Sequence, residues 1–295
     1  MNNYGEWTQP KVHMTFTTPK GDLWIADPEM VNEIYVQQNK YIDKYPKYQR
    51  VWQAFTGNSI LFNSSNELWA AKRKHLSMAF YKDKLTPMLG MIIDNTMATI
   101  NTLKKVQVAT GKSFNMVDVI QELMMNSILM CVFGQAIEEV ELLNFKTAAT
   151  DEKIHPGFLL RKIFTGYINK VYTLPRLIFD SLDFAIFGQE EKLLDKNNTT
   201  LRDYIMRMII KRREDFKKPG FVDKGDFLTN LLKDELFANQ DVLIIDECIT
   251  FLLAATQTST TLIINCVYNL SRWTEARETL RKEMRRFIDP KITSL

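Results

Sequence analysis

Trp69 and Arg73 are the first residues along the chain whose types and spacing could bind a ligand. They lie four residues apart in a segment of helical period, and Leu76 and Phe80 continue the same face. A guanidinium in an apolar stripe needs an anion. A carboxylate bound by the planar guanidinium, with the indole N–H of Trp69 as a second donor, would neutralise the charge of Arg73 and accept its hydrogen bonds. A bound cofactor carboxylate is one candidate. The alternative is that Arg73 extends to solvent or pairs with an ordinary Asp or Glu, and the spacing alone favours this alternative.

A second candidate site lies in the segment 251–261, where small residues and hydroxyls are interleaved. Adjacent Ala254 and Ala255 would let a flat ligand approach the backbone, and clustered threonine and serine can bond to preceding carbonyls and distort a helix. Phe251, Ala255 and Thr258 share one face, so Thr258 could offer its hydroxyl to a ligand there. The alternative is a buried helix whose hydroxyls bond to its own backbone, and the local pattern favours it.

Both candidate sites are predicted to lie on helices. Ser64 and Glu67 have capping-box spacing, which predicts a helix that begins just before Trp69. Helical period extends over residues 65–80, 85–103, 116–133, 199–216, 227–236, 241–273 and 274–287, with breaks at Pro87, Gly111, Gly134, Pro175, Gly188, Pro219-Gly220 and Gly225.

The start of the chain has a different pattern. Two short β-prone runs, 12–16 and 23–26, flank turn residues at 19–22 and predict a hairpin. Asp27-Pro28 then predicts the start of a helix, because aspartate caps free amides and proline suits the first helical position. The sequence therefore predicts a mainly α body with a small N-terminal β element, folded as a single domain over residues 1–295.

Composition indicates a folded globular protein and excludes several classes of function. The chain has 295 residues, of which 45% are hydrophobic and 25% charged, and its net charge of +3 is too small to imply a nucleic-acid partner. Three cysteines lie far apart without paired spacing, which argues against a disulfide framework or a zinc site and favours a reducing, cytosol-facing location: Cys131, Cys248 and Cys266.

Two segments of the sequence could associate with a membrane, the start of the chain and residues 248–271. Residues 1–10 are polar and lack a basic stretch followed by an apolar run, so we expect neither a signal peptide nor an N-terminal anchor. Residues 248–271 carry no charge and approach the length needed to cross a bilayer, but the many threonine, serine, asparagine and glutamine side chains favour a helix buried inside protein.

In their order and spacing, these features resemble the cytochrome P450 family. Tyr4-Gly5, the hairpin and Asp27-Pro28-Glu29 are similar to the family's first sheet and following helix. Trp69-x-x-x-Arg73 resembles the motif of its C helix, and residues 254–259 resemble the oxygen-binding motif of its long I helix. Ala255 replaces the usual glycine of that motif and Gln257 replaces the usual acid. Glutamine forms hydrogen bonds but cannot carry a proton as a carboxylate does.

The resemblance implies a haem-dependent monooxygenase, which inserts one atom of molecular oxygen into an apolar organic substrate. It implies haem as the cofactor and a redox partner, an NADPH-dependent reductase, as the electron donor. It also implies the cytosolic face of the endoplasmic reticulum membrane, or the cytoplasm, since no anchor is visible. The apolar residues of 158–187 indicate an access region that could touch a membrane surface, and ordinary core packing explains them equally well. The implied site residues are Thr258 and Gln257 for catalysis, Trp69 and Arg73 for a haem propionate, and Phe251, Ala254 and Ala255 for the substrate pocket.

The haem-ligating cysteine of the family is not found in this sequence. It follows a Glu-x-x-Arg helix and a Phe-x-x-Gly loop. The matching pairs at 278–281 and 283–286 come too soon after Thr258, and no cysteine follows such a loop. We therefore expect a C-terminally truncated, incomplete domain that has no metal ligand and is inactive by itself. Two alternatives stay open: a non-catalytic helical binding or regulatory module derived from the family, and a truncated product without a stable fold.

Overall fold

The structure is a computed structural model and describes residues 12–15, 21–179, 182 and 185–287. Those residues are mostly helical. The strands are β1 (Val12–Thr15), β2 (Asp22–Ile25), β3 (Leu143–Lys146) and β4 (Asp151–Ile154). The helices are α1 (Pro28–Asn32), α2 (Pro46–Thr56), α3 (Glu67–Met78), α4 (Lys82–Leu103), α5 (Met116–Phe133), α6 (Pro156–Val171), α7 (Leu174–Ile178), α8 (Gln189–Asp215), α9 (Phe227–Lys233), α10 (Asp241–Arg272) and α11 (Thr274–Phe287).

The predicted N-terminal β element is present. Strands β1 and β2 pair in antiparallel orientation, with Val12 opposite Ile25. Helix α1 follows as predicted. Pro28 occupies its first turn, and the Asp27 carboxylate accepts the N–H groups of Glu29 and Met30 at 2.9 and 3.1 Å. Tyr4-Gly5 and the first two residues of the predicted turn, 19–20, lie outside the described residues.

The chain forms two compact units. The first holds the described residues of Met1–Met78, Leu142–Arg207 and Asp234–Thr250, and the second holds those of Ala79–Glu141, Met208–Lys233 and Phe251–Leu295. In the first unit α2 and the β3–β4 hairpin pack against α6. The rings of Phe55 and Tyr167 stack there, with centroids 5.3 Å apart. Its core is formed by buried aliphatic and aromatic side chains that include Leu159, Ile163, Leu201, Tyr204, Ile205, Ile244 and Ile249.

In the second unit α5 packs against α4 and α9. Asn95 of α4 donates to the Ser127 hydroxyl of α5 at 2.7 Å, which pairs two buried polar groups. Helix α5 ends at Gly134, whose positive φ of 57° suits glycine. At the same end, Arg212 donates to the Phe133 carbonyl at 2.6 Å and forms an ion pair with Asp226.

The structure corrects several predicted boundaries. Helix α8 begins at Gln189, ten residues before the predicted start, and α2 and α6 were not predicted at all. Pro87 lies inside α4 rather than at a break. It lies in the exposed second turn of the helix, where its missing N–H removes a hydrogen bond to the Asp83 carbonyl. Two of the described helices, α5 and α10, are long and apolar enough to span a membrane. The core helices of a soluble protein meet the same criterion.

Candidate functional site

Arg73 lies on α3 beside the indole ring of Trp69. Its guanidinium carbon is 5.5 Å from the ring centroid, and the ammonium group of Lys44 is 5.0 Å from the same ring. The Arg73 side chain is exposed, as in the alternative of an arginine that extends to solvent, and is not buried in an apolar stripe. In the part of the chain that the structure describes, it forms no ion pair or hydrogen bond. Its charged fork is therefore available to an anion.

The indole N–H of Trp69 already has a partner, since it donates to the backbone carbonyl of Ile60 at 3.1 Å. Trp69 therefore presents its ring face, not its N–H, to Arg73. The start of α3 also differs from the prediction. The Asn66 side chain accepts the Trp69 N–H at 2.9 Å and caps the helix, while the Ser64 hydroxyl accepts a hydrogen bond from Gln49 instead.

Lys72, the neighbour of Arg73, points into the protein. Its side chain and that of Glu247 on α10 are both 0% exposed, and they form an ion pair at 3.1 Å. Lys72 also donates to the carbonyl of Asn58, and the Ile60 N–H donates to the Glu247 carboxylate at 3.0 Å. Burial raises the pKa of the Glu247 carboxyl, while Lys72 and the Ile60 N–H act in the opposite direction.

Asp246, the residue before Glu247, holds the other end of the same loop. Its carboxylate accepts the Asn58 N–H at 2.8 Å and forms an ion pair with Arg202 of α8 at 2.6 Å. Gly57 approaches so closely that a Cβ atom there would lie 2.1 Å from the Asp246 Oδ1 atom. The loop 57–60 is thus fixed to α10 by two consecutive buried carboxylates.

These residues were not predicted from the sequence, although a local feature indicates them. Asp246 and Glu247 interrupt an otherwise apolar run, 242–249, on a long helix. Buried carboxylates require partners. Their partners lie up to 188 residues away along the chain, so sequence spacing could not identify them.

The second predicted site lies in the second unit, on α10, and the helix is regular there. Residues Asp241–Arg272 form one continuous α-helix, so the threonine-rich segment does not distort it. The Thr258 hydroxyl donates to the Ala254 carbonyl at 2.7 Å, as expected for a helix that satisfies its own hydroxyls. Thr258 and Gln257 are exposed, as is Ala254, whereas Ala255 is half-buried.

Phe251 occupies an aromatic cluster. Its ring lies between those of Phe80 and Phe227, with centroids 5.3 and 4.6 Å away. The buried face of the helix in this region carries Leu252, Thr256 and Thr260. The structure therefore places Ala254 and Thr258 together on an accessible face and Phe251 in packing contact with two other rings.

The three cysteines differ in their capacity to bind a metal ion. Cys131 is buried, and burial raises the pKa of its thiol to about 11, so it stays protonated and is a poor ligand. Cys248 is buried on α10, and Cys266 is exposed on the same helix. Among the described residues no group of three or more His, Cys, Asp and Glu side chains could hold a metal ion.

Haem carries carboxylate groups, and the exposed guanidinium of Arg73 fits one of them. The small residues Ala254 and Ala255 of α10 fit the edge of a flat ligand, since neither side chain obstructs the helix surface. Neither buried thiol fits the iron. Arg73, in the first unit, therefore fits a carboxylate, and Ala254 and Ala255, in the second unit, fit the plane of a flat ligand.

Comparison with known proteins identifies the family. The sequence model of the cytochrome P450 family matches residues 10–294. The chain is 26% identical to the probable cytochrome P450 519D1 of Dictyostelium discoideum, over 79% of this chain and 39% of that protein. It is 24% identical to the cytochrome P450 monooxygenase pvhE of Talaromyces variabilis, over 95% of this chain and 50% of that protein. It is also 24% identical to the cyclooctat-9-en-7-ol 5-monooxygenase of Streptomyces melanosporofaciens, over 94% of this chain and 58% of that protein.

Among solved structures, the haem domain of a cytochrome P450DA mutant has a similar fold, with a TM-score of 0.70 and 17% sequence identity, over 94% of this chain and 56% of that one. The chain spans about half the length of the relatives it matches. Because the family match covers residues 10–294, nearly the whole sequence, the chain belongs to the cytochrome P450 family.

Proposed function

We propose that this chain is part of a haem-dependent monooxygenase that inserts one atom of molecular oxygen into an apolar organic substrate. The observation that carries the proposal is the exposed Arg73 guanidinium, which lies over the Trp69 ring and has no anionic partner in the described residues. Its spacing from Trp69 resembles the C-helix motif of the family, which is the reason for expecting a cofactor carboxylate at this position. Two of the similar proteins are named as monooxygenases, which supports the same reaction class.

In this proposal Arg73 binds a haem propionate through charge-assisted hydrogen bonds. The face of Trp69 holds the guanidinium in place by a cation–π contact. Haem, when bound, supplies the oxygen chemistry, and the protein supplies binding, orientation and electrostatics.

On α10, Thr258 and Gln257 are the proposed polar groups of the oxygen site. The Thr258 hydroxyl donates to the Ala254 carbonyl, so its oxygen can still accept a hydrogen bond. Gln257 can donate and accept but cannot deliver a proton as an acid does. Ala254 and Ala255 are the proposed pocket wall, and Phe251 supports it through its ring contacts.

The proposal extends to partners and location. The substrate is apolar and organic, the electrons come from an NADPH-dependent reductase, and the protein works at the cytosolic face of the endoplasmic reticulum membrane or in the cytoplasm. Exposed apolar side chains between α6 and α8, among them Leu174, Phe179 and Phe187, support peripheral membrane contact.

The test compares haem binding by the purified chain and three single variants. Arg73→Ala should weaken haem binding by about 10- to 150-fold, the loss of one hydrogen bond to a charged group of about 1.5–3 kcal/mol. Thr258→Ala should leave haem affinity unchanged, because it removes no cofactor anchor. Arg286→Ala, which removes an exposed arginine from α11, is the matched control and should also have no effect. Equal haem affinity in the parent chain and Arg73→Ala would contradict the proposed role of Arg73.

A further inference from the structure

The buried ion pair of Lys72 and Glu247 lies next to the proposed carboxylate-binding group. Lys72 and Arg73 are consecutive on α3, so their side chains leave the helix about 100° apart. Lys72 is 0% exposed and Arg73 is exposed. Anchoring Lys72 inside the protein therefore determines the direction in which Arg73 points.

Two further contacts connect α3 to the same anchor. The indole N–H of Trp69 donates to the Ile60 carbonyl at 3.1 Å, and the Ile60 backbone N–H donates to the Glu247 carboxylate at 3.0 Å. Lys72 itself donates to the carbonyl of Asn58. The peptide groups of the loop 58–60 thus join Glu247 to both Lys72 and Trp69.

The charged groups around Glu247 are well defined. Lys72 approaches from α3, Asp246 precedes it on α10, and Arg202 of α8 forms an ion pair with Asp246. Two cations and two anions therefore meet at this point, each with an opposite partner. A buried ion pair gains little net stability over an apolar pair of similar volume, but its geometry is specific.

We infer that Lys72 and Glu247 are positioning residues: through the loop 58–60 they fix the rotation of α3 about its axis and so hold Arg73 and Trp69 in the orientation that binds a carboxylate. The inference rests on the proposed function, because it assigns the pair to the same haem-binding group. It goes further in that neither residue touches the carboxylate. Both act through Arg73 and Trp69.

The test uses a double variant, since Lys72→Met alone would leave Glu247 charged, buried and unpaired and could prevent folding. Lys72→Met/Glu247→Gln removes both charges and keeps an oxygen that can accept the Ile60 N–H. The matched control is Arg212→Met/Asp226→Asn, which removes a buried ion pair from the second unit.

The first measurement needs no haem. It is the ¹⁵N–¹H resonance of the Trp69 indole, assigned by its loss in Trp69→Phe, and its rate of hydrogen exchange. In the double variant we expect the resonance to shift and the indole N–H to exchange at least about tenfold faster, whereas the control should leave both unchanged. The second measurement is haem affinity, which should fall by about tenfold or more in the double variant, as in Arg73→Ala, and not in the control.

An unchanged indole resonance in a folded double variant would overturn the inference, and so would haem affinity that is unchanged in the double variant but lowered in Arg73→Ala. If the proposed haem-binding role of Arg73 is wrong, the measurements give a different result. In that case haem affinity of the parent chain would be insensitive to Arg73→Ala, while the indole resonance would still report whether the ion pair orients α3.

Discussion

At the scale of single residues, the loop 57–60 shows how closely backbone and carboxylates can approach. Gly57 has φ of 64° and ψ of −150°, a region that is essentially restricted to glycine. The absence of a Cβ atom also leaves room for the Asp246 carboxylate, which accepts the N–H of the next residue, Asn58. Conformation and space therefore both require glycine at this position.

Gly57→Ala should lower the free energy of unfolding by about 1–3 kcal/mol from backbone strain, and more if Asp246 has to move. Gly90→Ala is the matched control, because Gly90 is exposed in α4 and an added Cβ would meet nothing within 4 Å. That substitution should raise the free energy of unfolding by about 0.5–1 kcal/mol. Urea denaturation of both variants is the measurement. A Gly57→Ala protein as stable as the parent chain would show that the close approach of Asp246 is wrong.

Cys131 gives a prediction about alkaline pH. Burial raises the pKa of its thiol from 9.0 to about 11. Between these two values the thiol ionises in the unfolded chain but not in the folded one, so its contribution to stability is present below pH 9 and is lost as the pH rises toward 11. Relative to Cys131→Ala, the parent chain should lose up to about 1.4 kcal/mol per pH unit in this window.

The measurement for Cys131 is thermal or urea unfolding at several pH values from 8 to 11, for the parent chain and Cys131→Ala. Cys266→Ala is the control, since it removes an exposed cysteine in place of a buried one. Parallel curves for the parent chain and Cys131→Ala would contradict the burial of this thiol.

At the scale of elements, helix α3 carries the proposed cofactor group, and its start is fixed by Asn66. The Asn66 backbone carbonyl accepts a hydrogen bond from the Ala70 N–H at 3.0 Å, the first backbone hydrogen bond of the helix. The Asn66 side chain accepts the Trp69 N–H and so caps the helix. Asn66→Ala should lower the free energy of unfolding by about 0.5–2 kcal/mol and speed hydrogen exchange of the Trp69 amide. Glu67→Ala should cost less, because the predicted capping box with Ser64 is not formed. A larger cost for Glu67→Ala than for Asn66→Ala would favour the capping box.

Several elements could be predicted from the sequence because their signals are local. Helix α5 has the predicted bounds, 116–133, since its apolar period ends at Gly134. The start of α8 could not be found in this way. Its first turns, 189–198, are largely polar, and their helical structure depends on tertiary contacts such as that of Asn197 with the strand residue Lys146.

The candidate site was predictable to a smaller extent. Trp69 and Arg73 were selected by spacing, and the structure brings their side chains into contact. Lys72 and Glu247 could not be paired, because they lie 175 residues apart. The exposure of Arg73 corresponds to the alternative that the spacing favoured, an arginine that extends to solvent. Helical spacing identifies a shared face but not whether that face meets protein or solvent.

At the scale of the whole molecule, the family assignment rests on almost the entire sequence, residues 10–294. The proposed activity rests on much less, namely the groups that could hold a haem in a chain that spans about half the length of its relatives. The central claim is therefore the recognition of a haem carboxylate by Arg73. An assay of this claim should compare two ligands that differ only in that group.

The most direct measurement is a pair of absorbance titrations of the parent chain, one with haem and one with haem dimethyl ester, in which the propionates are esterified. We expect the parent chain to bind haem about 10- to 150-fold more tightly than the ester, the equivalent of about 1.5–3 kcal/mol for a hydrogen bond to a charged group, and Arg73→Ala to lose this preference. Equal affinity of the parent chain for haem and its ester would contradict the recognition of a haem carboxylate by Arg73.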